Sequence, residues 1–361
     1  MNKKVLISTG GSGGHVVPGT IFYEHLKDNF DVYICSDRRG AKFLNKEKYK
    51  VKIINTPNLS KNLFLLLFQL FLILYLVAKS FFFIKRKKID ILISTGGYMS
   101  LPLCIASRIL NIKIFLFEPN MVLGRANRFF LNFCKKIFCY SNKIKKFPSK
   151  FTNKIAIIKT LLRKEFYLLR PSEDIDKKIN LLIIGGSQGA KLFDSAINDS
   201  IIKLSKKYKL KIFHQTNFEN YKIMKNFYSK NNIESELFYF KDNIFDFMSK
   251  ANICITRAGA STLAELTFLN IAYIAIPLPF AKDNHQFENA SFYERQGCNW
   301  SLIQSELNES SLTNKLINIV ENKGEYLDMS IKELKEKCIE LGLKHSGNKH
   351  TLANRIVNKL K

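Results

Sequence analysis

The chain has 361 residues, 46% of them apolar, with only 17 glycines and 8 prolines, a balance that excludes a disordered or fibrous protein and supplies length for two domains with separate cores. Its formal net charge of +27 invites a polyanionic partner: nucleic acid, an anionic membrane surface or a phosphorylated substrate. Lys, Asn, Ile and Phe are abundant together, as A/T-rich codons would also produce, so charge alone does not choose among these. Seven cysteines (Cys35, Cys104, Cys134, Cys139, Cys254, Cys298, Cys338), odd in number and without C-x-x-C spacing, suit a reducing cytoplasm and argue against structural zinc. The N-terminus shows no small-residue cleavage site and does not read as a signal peptide.

Residues 4–8 are a continuous apolar run, the signature of a strand covered on both faces in a parallel sheet. They lead into Thr9-Gly10-Gly11-Ser12-Gly13-Gly14-His15, with Pro18 expected in the first turn of a helix. Residues 32–35 and 51–54 read as the next strands, completing a βαβ opening. The dinucleotide pattern G-x-G-x-x-G fails at Val16, although Asp37 stands where an adenosine-ribose acid would, which leaves a nicotinamide enzyme as an alternative. Glycine-loop N–H groups at a helix start suit a phosphate or pyrophosphate of any kind.

Residues 63–84 are apolar enough to span a bilayer and are followed at once by Lys85-Arg86-Lys87-Lys88. Spanning would put strands of one parallel sheet on opposite sides of the membrane. The expectation is therefore a helix packed on the sheet or dipping one face into the membrane, its basic end on anionic headgroups; a plain core helix is the alternative. Residues 91–100 repeat the strand-into-glycine pattern through Gly96-Gly97-Tyr98, and residues 112–117 form a strand delivering Glu118-Pro119-Asn120 to the same rim. Residues 154–158 close the first domain, and 164–180 read as the linker.

At Asn180 the grammar begins again: an apolar run ends in Gly185-Gly186-Ser187-Gln188-Gly189-Ala190. Residues 211–213, 237–240 and 253–256 read as further strands. The last of them enters Arg257-Ala258-Gly259-Ala260-Ser261-Thr262-Leu263-Ala264-Glu265, with Ser261 and Thr262 expected at a helix N-cap and Glu265 placed to accept from a ribose diol. An ordinary capped helix with a surface glutamate is the plainer alternative. Residues 273–279 form a strand running into a polar cluster that includes Asp283-Asn284-His285-Gln286, suited to sugar hydroxyls. The lysine-rich tail, residues 312–361, is helical; between Leu334 and Arg355 it has the look of a nucleic-acid-binding helix pair, but closing helices packed across both domains are the preferred reading.

Taken in order, the first glycine loop, Gly96-Gly97-Tyr98, Glu118-Pro119-Asn120, the second glycine loop, Arg257 to Thr262 and Asp283 to Gln286 resemble the MurG family of glycosyltransferase family 28, bacterial membrane-associated N-acetylglucosaminyltransferases of peptidoglycan synthesis. The resemblance runs from residue 5 to about 300. It implies an α/β fold of the GT-B type: two Rossmann-like doubly wound parallel-sheet domains facing across a cleft. Residues 1–163 would be the acceptor and membrane-associating domain and 164–344 the UDP-sugar donor domain, with a helix at about 345–361 returning onto the first. The implied reaction is inverting transfer of N-acetylglucosamine from UDP-N-acetylglucosamine to the 4-hydroxyl of the muramoyl residue of lipid I, giving lipid II, in the service of cell-wall biogenesis, shape and division.

Carried across residue by residue, the family's donor site implies Ser12, Gly13, Gly14, Asn120, Arg163, Ser187, Lys241, Gly259, Ala260, Ser261, Thr262, Leu263, Ala264, Glu265 and Gln286. Two segments depart from the family pattern: Phe117-Glu118-Pro119-Asn120 stands for His-Glu-Gln-Asn, and Lys159-Thr160-Leu161-Leu162-Arg163 for Gly-Asn-Pro-Val-Arg. His15 is the favoured catalytic base, since the positive end of a helix keeps an imidazole neutral; a role bracing the glycine turn is the rival, and Glu118 is the second candidate. No metal and no cofactor are implied. The expected partners are UDP-N-acetylglucosamine, lipid I and an anionic membrane surface met by residues 63–88, with no nucleic acid, at the cytoplasmic face of the bacterial inner membrane as a peripheral protein. A non-catalytic membrane-surface protein and a nucleic-acid binder are the readings from other classes, and neither explains three strand-to-glycine turns.

Overall fold

A computed structural model of the protein describes residues 2–45, 47–57, 62–168, 178–186, 191–239, 244–328, 331–343, 345, 352–353 and 355–356. The chain divides into two compact units, Met1–Lys164 and Glu165–Lys361. Unit one carries β1 (Lys4–Ser8), α1 (Gly13–Leu26), β2 (Asp31–Ser36), β3 (Val51–Ile53), α2 (Leu63–Lys87), β4 (Ile91–Ser94), α3 (Ser100–Ile109), β5 (Lys113–Glu118), α4 (Arg125–Phe130), β6 (Lys136–Cys139) and β7 (Ile155–Ile157). Its seven strands are ordered β3-β2-β1-β4-β5-β6-β7, and every pair is parallel. Val5, Leu6 and Ile7 are buried because helices cover both faces of such a sheet. Chain order reverses between β1 and β4, and at that switch point the loops leaving their carboxyl ends lie side by side.

Helix α2 is the crossover from β3, at the sheet edge, to β4, beside β1, so both its ends are tied to one sheet. Asn62 caps it, its Oδ1 accepting from Phe64 N–H at 3.0 Å and Leu65 N–H at 3.3 Å. Lys85, Arg86 and Lys87 occupy the last turn, where the helix dipole favours cations, and Lys88 ends it in the left-handed region at φ 54°. Ile73, Leu76, Val77, Ser80 and Ile84 are buried; residues 63–72 contribute no buried side chain. Pro18 lies within α1 in its second turn, not its first, because the helix already starts at Gly13. The residue four before it is Gly14, which leaves the proline ring the least crowded position to occupy.

Unit two carries β8 (Lys178–Ile184), α5 (Phe193–Ala196), α6 (Asn198–Lys207), β9 (Lys209–Gln215), α7 (Tyr221–Lys230), β10 (Glu234–Phe238), α8 (Phe245–Met248), β11 (Ile253–Thr256), α9 (Ala260–Phe268), β12 (Ala272–Ala275), α10 (His285–Glu294), β13 (Trp300–Ser301), α11 (Glu309–Asp328) and α12 (Ile331–Glu340). The parallel order β10-β9-β8-β11-β12-β13 repeats the architecture, with its switch point between β8 and β11. Leu334, Cys338, Leu352, Ala353 and Ile356 are buried in the same apolar core as Ile201, Leu204, Leu312, Leu316 and Ile319. Of the segment 345–361 expected to return onto the first domain, the described residues Leu352, Ala353 and Ile356 lie in the second unit's core.

Within that core, His214 on β9 is fully buried, its Nδ1 2.8 Å from Tyr228 Oη and its Nε2 3.3 Å from Asp194 Oδ1. Burial pushes the imidazole down to about 3 and raises the Asp194 carboxyl. An unfolded histidine near 6.5 takes a proton that the folded one refuses, so this contribution to stability is whole above about pH 6.5 and is lost as pH falls toward about 3; Asp194 acts in the opposite sense. Urea unfolding of His214→Asn between about pH 7 and about pH 4 should therefore lose less stability than wild type across the same window. Leu352→Ala should lower unfolding free energy by about 2–5 kcal/mol, read as a shifted urea midpoint, if the tail is part of this core.

Candidate functional site

At the first switch point, β1 delivers Thr9 to Ser12 and β4 delivers Thr95 to Met99. Gly11, Gly96 and Gly97 adopt φ of +82°, +91° and +84°, a region open to glycine, and this lets the two loops approach each other. A Cβ on Gly96 would stand 3.4 Å from His15 Cε1 and one on Gly97 3.7 Å from its Cδ2, so the ring lies against bare backbone. His15 Nδ1 is 2.7 Å from the Thr95 carbonyl. A carbonyl only accepts, so Nδ1 carries the hydrogen, and in the neutral ring Nε2 is left with the lone pair. Thr9 Oγ1 donates to the His15 carbonyl at 2.6 Å, and Thr95 Oγ1 donates to Thr9 Oγ1 at 2.9 Å, fastening the same two loops behind the ring.

Ser12 occupies the N-cap position of α1 without a side-chain capping bond, and Gly13 and Gly14 form the helix's first positions, so the start of this helix presents backbone rather than side chains. Asp37, which the sequence offered as a ribose acid, instead accepts from Gly11 N–H and Gly40 N–H, both at 2.8 Å, and pairs with Arg39 Nε at 3.1 Å. Its carboxylate braces the glycine loop, which corrects the nicotinamide alternative.

Glu118 ends β5 almost fully buried. Its Oε1 accepts from Asn120 Nδ2 at 2.9 Å and Asn120 N–H at 3.3 Å, and its Oε2 from Gly124 N–H at 2.7 Å and Asn127 Nδ2 at 3.0 Å. A carboxylate engaged on both oxygens organises the 118–127 loop and holds Asn120. Arg163 is partly buried near the end of the unit, and its Nη1 is buried with no hydrogen-bond partner among the described residues.

In unit two, Gly185 and Gly186 follow β8, and Gln215 at the end of β9 holds both: its Oε1 accepts from Gly185 N–H at 3.0 Å and Gly186 N–H at 3.1 Å while its Nε2 donates to the Gly186 carbonyl at 3.0 Å. Gly259, not Ser261 or Thr262, is the N-cap of α9; those hydroxyls sit in its first turn with Ala260, followed by the buried Leu263, Ala264 and Glu265. Arg257 hydrogen-bonds the carbonyls of Ile276 and Pro277 at 3.2 and 3.3 Å and lies over the Phe193 ring, which ties β11, β12 and α5 behind this helix start. Gln286 Oε1 accepts from Leu278 N–H at 3.0 Å, bringing α10 to the end of β12. Ser187 and Lys241 lie outside the described residues. Among the described residues no group of three or more His, Cys, Asp or Glu side chains is arranged to hold a metal ion.

Sequence reasoning missed Thr95, Asn127 and Gln215 as members of these sites. Thr95 acts mainly through its carbonyl, and Gln215 is an amide inside a strand, so only the neighbouring glycines signalled them.

Residues 5–139 match the glycosyltransferase family 28 N-terminal domain, residues 180–341 its C-terminal domain, and residues 325–361 a SAP domain. The chain is similar to the UDP-N-acetylglucosamine–N-acetylmuramyl-(pentapeptide) pyrophosphoryl-undecaprenol N-acetylglucosamine transferase of Pelagibacter ubique, 61% identical over 91% of this chain and 92% of the relative. The Rickettsia canadensis protein of the same name is 35% identical over 93% and 96% of the two chains. Among solved structures, Acinetobacter baumannii MurG superposes with a TM-score of 0.71, 24% identity and coverage of 99% of this chain and 94% of that one. The chain belongs to glycosyltransferase family 28, in its MurG branch of N-acetylglucosaminyltransferases.

Proposed function

We propose that the protein transfers N-acetylglucosamine from UDP-N-acetylglucosamine to the 4-hydroxyl of the muramoyl residue of lipid I, inverting the anomeric carbon and releasing UDP with lipid II. The observation that carries this reading is the 61% identity, over nearly the whole chain, to a relative named for that transfer. In one displacement the acceptor oxygen bonds to the anomeric carbon as the bond to the UDP oxygen breaks. The hydroxyl proton goes to His15 Nε2, and the bond from Nδ1–H to the Thr95 carbonyl orients the ring and strengthens as the imidazolium forms. Glu118 serves at one remove by holding Asn120.

Each unit offers a dipole fixed in advance that suits charge growing on a diphosphate: the start of α1 at Gly13–Gly14 in unit one and that of α9 at Gly259–Ala260 in unit two. Ser12, Ser187 and Thr262 supply hydroxyl contacts, Lys241 its backbone at the uracil edge, Glu265 the ribose and Gln286 the sugar. Ser261, Leu263 and Ala264 complete the α9 wall. In this reading unit one receives the acceptor and unit two most of the donor. His15→Ala should cut turnover by about a hundredfold or more with the fold intact in radiolabelled transfer to a lipid I analogue. Near-normal turnover removes His15 as the base, and no transfer by folded wild type removes the reaction.

We further infer that the protein works at the cytoplasmic face of the inner membrane, seated by α2. Phe64 is 85% exposed and Phe71 73%, Leu63, Leu67, Phe68 and Leu74 are exposed beside them, and the helix ends in a run of four cations. An apolar face of this size next to a basic cluster suits an anionic leaflet. The triple substitution of Phe64, Phe68 and Phe71 by Ser should abolish flotation with phosphatidylglycerol vesicles while leaving transfer to a water-soluble acceptor analogue within about twofold of wild type. Retained flotation would remove α2 as the membrane contact.

A further inference from the structure

The two glycine loops are built alike beyond their sequences. In each unit the strand beside the loop's own strand ends in a polar side chain that turns onto the loop backbone. In unit two this is Gln215, level with the end of β8 and 3% exposed; in unit one it is Asp37, one residue past β2 and 5% exposed. Gln215 makes three bonds to two consecutive glycines, its amide presenting both the acceptor and the donor that this pattern requires. Gly186, at φ +78°, is thereby fixed in a conformation it would otherwise share with many others. Asp37 sits as a wedge: a Cβ on Gly10 would come 2.7 Å from its Oδ1, and a Cβ on Gly40 would come 2.6 Å from Gly10 Cα, so two glycines make room for the carboxylate to reach Gly11 N–H. Arg39 neutralises the charge that a carboxylate brings beside a site for anions.

We propose that Gln215 and Asp37 are positioning residues of the transfer reaction, Gln215 fixing the Gly185–Gly186 backbone and Asp37 the Gly10–Gly11 turn that leads into His15, before substrate arrives. The assignment rests on the reaction proposed above. Gln215 serves the loop of the nucleotide diphosphate, and Asp37 serves the loop that carries His15. Neither touches substrate. Their contribution is the ordering of backbone that a flexible loop would otherwise have to undergo on binding.

The test uses the full-length protein with Gln215→Met, which keeps volume and removes all three bonds, and with Asp37→Ala and Asp37→Asn. Hydrogen exchange should show the Gly185 and Gly186 amides losing protection in Gln215→Met while the amides of β8 keep theirs. The same variant should weaken UDP binding by about tenfold or more in calorimetry and raise KM for UDP-N-acetylglucosamine alike, with KM for the lipid I analogue changed by less than about twofold. Asp37→Ala should lower kcat by about tenfold or more, and Asp37→Asn, which keeps the acceptor for Gly11 and Gly40, should recover it to within about threefold. Unchanged exchange, unchanged UDP affinity, or equal losses toward both substrates would overturn the role of Gln215. Wild-type kcat in Asp37→Ala, or no recovery in Asp37→Asn, would overturn that of Asp37. A wild type that binds no UDP would overturn the functional reading itself, and the assignment with it.

Discussion

The hydrogen bond from His15 Nδ1 to the Thr95 carbonyl is the contact on which the geometry of the first unit's switch-point loops depends. It joins the loops on either side of the sheet's switch point and fixes the ring's tautomer with a group that cannot exchange roles. Three features converge to allow it. Parallel pairing of β1 with β4 puts the loops in one place, positive-φ glycines let them touch, and the Thr9 and Thr95 hydroxyls fasten them behind the ring. Removing any one would leave a histidine with two interchangeable nitrogens and no fixed direction.

The second unit solves a related problem with a different group. Its glycine loop carries no histidine to be oriented, and the amide of Gln215 takes both the donors and the acceptor of the turn. A carboxylate does the corresponding work in unit one only because Arg39 stands beside it. Both devices spend buried polar groups on loop geometry, and in each case the polar group is fully engaged, as burial demands.

Apolar runs such as residues 5–8 and 181–184 announced their strands because a strand buried on both faces needs no polar alternation. Strand β6 escaped notice: Lys136-Ile137-Phe138-Cys139 alternates inside a lysine-rich stretch, and only pairing with β5 and β7 makes it a strand. The glycine loops and the start of α9 were legible as turns because small residues after an apolar run mark a strand passing into a helix. Roles were less legible than places. Glu118 reads as a free carboxylate in one dimension, and its four donors come from residues that only the folded 118–127 loop assembles. Asp37 reads as a ribose acid and Gln215 as an ordinary strand end until the neighbouring loop is seen against them.

The tail has a consequence of another kind. Residues 325–361 match a SAP domain, and Leu334, Cys338, Leu352 and Ile356 within them are buried among the core residues of the second unit. With its apolar residues in that core, the tail is part of the second unit's packing, and losing it would unmake part of that unit.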